Sequence, residues 1–158
     1  MTNPQISSPK EGLKQTQILH LAMTLGLILL FTAFTFIFGL ELNPDTEKAT
    51  VLGKVFPIFL VGLLVMGIFS YKSRVAQTGN LQTLLEKTEH YRTTSIIRWA
   101  LIEGAALMSL VFHFVVESNY LFLGTFGSAL LCMLFFRPSK NQFAQDYQLS
   151  NQEISELN

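Results

Sequence analysis

Four long apolar runs, separated by short polar pieces, constrain this chain more than any other feature. They cover about 17–40, 51–71, 96–116 and 120–136. At 1.5 Å per residue, about 20 apolar residues cross a hydrocarbon layer ~30 Å thick. A merely greasy core would not withdraw charge so completely: 14% of the chain is charged, against about 25% in an average soluble domain. The predicted fold class is all-α, a polytopic membrane protein built as a four-transmembrane-helix bundle. Residues 1–16 are expected as a flexible tail, 17–140 as the membrane domain and 141–158 as a polar tail, where a short surface helix and disorder both stay open. The first run, about 23 residues, is longer than a signal h-region of roughly 7–15, and no A-x-A pattern follows it. It is therefore expected to remain in the mature protein.

The connections carry turn chemistry. Asn43-Pro44-Asp45 stops the first helix, and Pro57 lies near the start of the second, where proline does least harm. Between the second and third runs, Asn80 is a candidate helix cap. Leu81, Leu84, Leu85, Thr88 and Tyr91 then share one helical face. No Gly or Pro separates this stretch from the third run, so Leu81–Val116 is predicted as one helix, or two with a slight bend, about 54 Å long and projecting into the cytoplasm. The rival arrangement lays Leu81–Tyr91 flat on the membrane surface. Arg137-Pro138-Ser139-Lys140 ends the fourth run sharply.

Orientation follows from the basic residues. Lys10, Lys14, Lys72, Arg74, Lys87, Arg92, Arg98, Arg137 and Lys140 fall on one side of an even-span arrangement, leaving Lys48 and Lys54 on the other. Both termini are expected in the cytoplasm of a cell whose plasma (inner) membrane holds the protein.

One charged group sits inside an apolar run. Glu103 lies in Arg98–Val116, RWALIEGAALMSLVFHFVV, with Arg98 at the entrance. A carboxylate about 10 Å below the membrane edge is disfavoured by up to about 3 kcal/mol if charged and lipid-facing. Arg98 is five residues earlier, about 140° away around a helix, and is poorly placed to pair with it. Ser70, Tyr71 or Lys72 on the second helix is the expected partner. Glu103 then either binds a proton or cation or serves as a structural acceptor, and both roles stay open. Gly104, Ala105, Ala106 and Ser109 leave room for a neighbouring backbone. Gly124, Ser128 and Cys132, four apart, form a smooth face for packing on the third helix or on a second copy.

Other chemistry is disfavoured. The single cysteine excludes an intramolecular disulfide, a Cys-rich metal site and a dithiol pair. His20 and His113 belong to opposite ends of the bundle, too far apart to ligate one haem. The chain holds no phosphate-binding Gly loop, H-E-x-x-H or G-x-S-x-G. A formal net charge of zero gives no basis for nucleic-acid binding. No cofactor or metal is expected, and the partners are the lipid bilayer and a homo-oligomer or larger membrane complex.

The stretch Arg98–Leu107, RWALIEGAAL, resembles small bacterial four-span membrane proteins that share an R-x-A-L-x-E-G helix and a basic Arg-Pro-Ser-Lys-like exit. The likeness covers about the second half of the chain and carries no activity. The same stretch is faintly similar to the proteolipid subunits of rotary ATPases, where an A-L-x-E-A helix holds the ion-binding acid. Here the acid lies nearer the cytoplasmic edge, and neither an R-Q-P loop nor a regular glycine ladder is present. The expected function is a non-enzymatic packing or accessory subunit. The alternative is a proton- or cation-coupled subunit that uses Glu103.

Overall fold

The structure, a computed structural model, describes residues 8–39, 51–115 and 120–157. The expected turn at Asn43-Pro44-Asp45, with Lys48, lies outside the described residues, as do residues 1–7 and 116–119. Every described element is helical.

Helix α1 spans Pro9–Phe38. It starts well before the first apolar run because its cap is local: Ser8 Oγ accepts from the Glu11 N–H at 3.3 Å, and Pro9 occupies the first turn. The polar segment expected as a flexible tail is thus helical from Pro9 onward. Thr16, Thr24 and Thr32 each donate a hydroxyl to the carbonyl one turn back, at 2.8–2.9 Å. Such a bond hides the hydroxyl from hydrocarbon. Gly39, at φ +73, ends the helix with its N–H on the Thr35 carbonyl.

Helix α2 spans Val51–Val75 and includes Pro57. A single 3-10 turn, Thr78–Asn80, leads to α3, Leu84–Val115. The start of α3 is set at Thr83: its Oγ1 accepts from the Glu86 N–H at 3.2 Å, while Glu86 Oε2 accepts from the Thr83 N–H at 3.1 Å. This reciprocal cap, T-x-x-E, displaces the cap expected at Asn80. Helix α4 spans Tyr120–Phe135, α5 Lys140–Asp146 and α6 Asn151–Glu156. At Arg137-Pro138-Ser139 the chain turns through 84° between α4 and α5.

Three helical stretches are long and apolar enough to cross a membrane: Pro9–Phe38, Val55–Val75 and Leu84–His113. The bent pair α4–α5 makes a fourth candidate. Helix α3 lies at the centre, with α2, α4 and α1 packed against it. Trp99, Ile102, Ala105, Ala106 and Leu110 of α3 meet Leu27 of α1, Leu64 of α2, and Phe126, Ala129 and Met133 of α4. Gly67 sets the approach of α2. A Cβ there would stand 3.2 Å from the Arg98 carbonyl oxygen and 3.3 Å from Leu101 Cβ. The opposite faces carry Ile18, Leu29, Phe36, Ile58, Phe69 and Phe135, all strongly exposed. A patch of that size suits hydrocarbon and not water.

A second cluster closes the end of the molecule at which α1 begins, here called the basal end. Leu13 of α1, Tyr71 of α2, and Leu84 and Tyr91 of α3 pack there with Phe143, Tyr147, Leu149 and Leu157. The stretch expected as a polar tail therefore supplies half of this apolar cluster. Its helices are short but well capped. Ser139 Oγ accepts from the Gln142 N–H, and Ser150 and Glu153 form a capping box. Between them Gln148 adopts φ +49, which lets the Leu149 N–H reach the Ala144 carbonyl at 3.0 Å.

Candidate functional site

The polar groups within the apolar body gather at the level of Arg98. Tyr91, Thr94, Ser95 and Arg98 fall on one side of α3 at helical spacing (i, i+3, i+4, i+7), and all four are buried. A helix that crosses near a membrane edge with a cation turned inward must give that cation partners. Arg98 has several. Its guanidinium carbon lies 3.8 Å from the centre of the Tyr71 ring and 4.8 Å from that of Phe136. Its Nη2 donates to the Phe136 carbonyl at 3.3 Å. A cation held between two ring faces gains about 0.5–2 kcal/mol per contact, more as water is excluded. Asp146, on α5, lies within electrostatic reach. Its Oδ2 accepts the Tyr71 hydroxyl at 2.5 Å, so α2 bridges the base and the acid.

The same α4 carbonyl serves a second donor. Trp99 Nε1 gives its hydrogen to the Phe136 oxygen at 3.2 Å. Trp99 also meets the edge of His20, with ring centres 4.8 Å apart, and His20 Nε2 lies 2.8 Å from the Met133 carbonyl. A carbonyl only accepts, so the proton of His20 is on Nε2. The free carbonyls at the C-terminal end of α4 are thereby satisfied by α1 and α3. Four groups on α3 are less well served: the Tyr91 hydroxyl, Thr94 Oγ1, Ser95 Oγ and Arg98 Nε are buried without a well-formed hydrogen bond.

Beneath this level the C-terminal helices are tied to α2 and α3. His90 Nδ1 and the Tyr147 hydroxyl are 2.7 Å apart, and Lys87 Nζ meets Glu153 Oε1 at 2.6 Å. The Lys87 ammonium, helped by the Ser150 N–H, holds the Glu153 carboxyl below the usual carboxylate range. Burial pushes the Tyr147 phenol up. A half-open cleft of about 630 Å³ lies between the end of α2 and α5, with Tyr71, Lys72, Thr78, Lys87, Asp146 and Tyr147 among its lining residues. Its charges are mixed, and Lys87 is already paired.

Arg98 and Glu103 do not form one site. Arg98 turns into the molecule, whereas Glu103 is partly exposed and makes no hydrogen bond or ion pair among the described residues. The partners expected for it are engaged elsewhere or turned away. Tyr71 gives its ring to Arg98 and its hydroxyl to Asp146, Ser70 Oγ donates to the Gly67 carbonyl at 3.1 Å, and Lys72 is exposed. Gly104 faces open space, since a Cβ there would meet nothing within 4 Å. Ser109 is buried and returns its hydroxyl to the Ala105 carbonyl at 2.7 Å.

Of the three small residues singled out on α4, Gly124 and Ser128 point away from the core and Cys132 packs at its edge. Gly124 and Ser128 are exposed and Cys132 is half-buried, while Phe122, Phe126, Ala129 and Met133 supply the face that α3 meets. His113 is buried on α3, about 20 Å beyond the level of Trp99 and His20 at helical rise.

Of the residues that complete the Arg98 site, Phe136 and Asp146 were not singled out from sequence, and Tyr71 was expected to serve Glu103 instead. A usable signal was present in the tail: Ser139-x-x-Gln142 and Ser150-x-x-Glu153 are cap patterns, and Phe143 and Tyr147 are one turn apart. Comparison of the chain with protein-family models, with curated proteins and with solved structures returns no match, so the geometry alone carries the functional reading.

Proposed function

We propose that this chain is a non-enzymatic packing or accessory subunit of a membrane-protein assembly, held in a plasma (inner) membrane as a four-span bundle with both termini in the cytoplasm. The observation that carries the proposal is the commitment of Arg98. Among the described residues, the arginine buried in the apolar body is clamped between Tyr71 and Phe136, on a carbonyl that also receives Trp99. Such a group fixes helix positions and is itself withdrawn from proton transfer. The four-span arrangement is supported by the basal cluster, in which residues from α1 and from α6 meet, and by the basic residues Lys72, Arg74, Lys87, Arg137 and Lys140 near that end. The extension of α3 below Arg98 then lies in the cytoplasm, wrapped by α5 and α6.

The competing role, a proton- or cation-coupled subunit, draws on the lone carboxyl of Glu103. A cation needs several oxygen ligands, and Glu103 has no second acid or donor bonded to it among the described residues. The deciding experiment is extraction of the tagged protein in native lipid, with mass determination of what co-elutes. The expected result is a stoichiometric assembly. A lone monomer would overturn the proposal. Rapid reaction of Glu103 with a carbodiimide at neutral pH in that monomer would favour the ion-coupled role.

A further inference from the structure

We infer that the outward strip of α3 formed by Ala100, Glu103, Gly104, Leu107 and Val111 docks a transmembrane helix of a different protein, and that this helix presents an arginine, lysine or histidine at the depth of Glu103. The inference rests on the accessory-subunit reading and names its contact.

These positions follow helical spacing and fall along one side of α3. Ala100, Leu107 and Val111 are exposed, and Glu103 and Gly104 are partly so. Glu103 is about 8 Å further into the apolar layer than Arg98 at helical rise. A carboxyl at that depth is costly unless a protein group meets it, and among the described residues none does. The glycine beside it points the same way. Gly104, like Gly26, Gly62, Gly124 and Gly127, has no neighbour within 4 Å of its would-be Cβ, but of these it is the one that adjoins the carboxyl. Its missing side chain lets an outside helix approach closely and bring a side chain onto Glu103.

Charge complementarity identifies the occupant. A carboxylate in hydrocarbon is best met by a base, through a charge-assisted hydrogen bond. Among the described residues a second copy has none to offer at this level: Arg98, His20 and His113 are buried within the chain, and the exposed Lys72 and Arg74 stand about two turns or more nearer the basal end. The base therefore comes from another protein.

The test uses the full chain in its own membrane, with a photo-crosslinking residue at Leu107 and, as control, at Phe59 on the outward face of α2. The expected result is a cross-link from Leu107, and not from Phe59, to a different membrane protein, mapping to a helix that contains Arg, Lys or His. Glu103→Leu and Gly104→Leu should each lower recovery of that protein at least tenfold, with the Trp99 fluorescence melt unchanged. Glu103→Arg combined with an acid in place of the partner's base should restore recovery. A cross-link to a second copy, a cross-linked helix with no base, or full recovery with both leucine variants would overturn the inference while leaving the accessory role intact. Extraction of the unaltered chain as a monomer would overturn both.

Discussion

Arg98 shows how a single residue can be visible in a sequence while its surroundings are not. It stands at the entrance of an apolar run, poorly placed to pair with Glu103. It is buried there because Tyr71 and Phe136 offer ring faces and α4 ends with its carbonyls at the same level. None of these partners is near Arg98 in sequence, so no local pattern announces them. Glu103 shows the reverse. Its singularity was plain, but the partners expected for it are held by Arg98, by Asp146 and by a backbone carbonyl. Replacing Arg98 by Lys keeps the charge and loses the planar stack and the fork that reaches the Phe136 oxygen. The expected loss is about 1–3 kcal/mol, read as a lower thermal midpoint of Trp99 fluorescence in detergent. Trp99, the single tryptophan, donates to the same carbonyl and reports the event directly.

Among the elements, the long apolar helices were legible and their surroundings were not. Hydropathy located α1, α2 and α3 because a bilayer imposes a length on each. It missed the polar first turns of α1, where a Ser-Pro start and not apolarity decides the boundary. It also could not say which side of α4 faces inward. Small residues allow close packing, but Phe122, Phe126 and Met133 bury more apolar area than Gly124 and Ser128 could, and α3 takes that side. For α5 and α6 the attachment is partly ionic and so depends on pH. The Glu153 carboxyl is held below its unfolded value, mainly by Lys87. Its stabilising contribution is full above the usual carboxylate range and is lost as pH falls through the lower folded value. Amide exchange in 140–157 should therefore accelerate on acidification from pH 6 to pH 3 relative to α3. Glu153→Gln should already show the faster exchange at pH 6, with less further change at pH 3.

For the whole molecule, the proposed topology makes a prediction that any three-span alternative contradicts. With Cys132 replaced by Ser, single cysteines at Lys10 and Gln152 should both react with an impermeant thiol reagent in inside-out vesicles and be silent in right-side-out ones. Opposite behaviour of the two positions would mean an odd number of crossings. The basal cluster supports the even count, since Leu13 and Leu157 belong to it together. That pairing also orders events in time. Chains emerge N-terminus first, and segments pack as they become available. The three long helices can enter the bilayer while residues 140–157 are still being polymerised, but Leu13 has no lid until that segment is free. Sealing of the basal end thus comes after the long helices are made. A chain that lacks this segment would leave Tyr71, Tyr91 and Leu13 uncovered, an apolar surface that tells an unfinished molecule from a finished one.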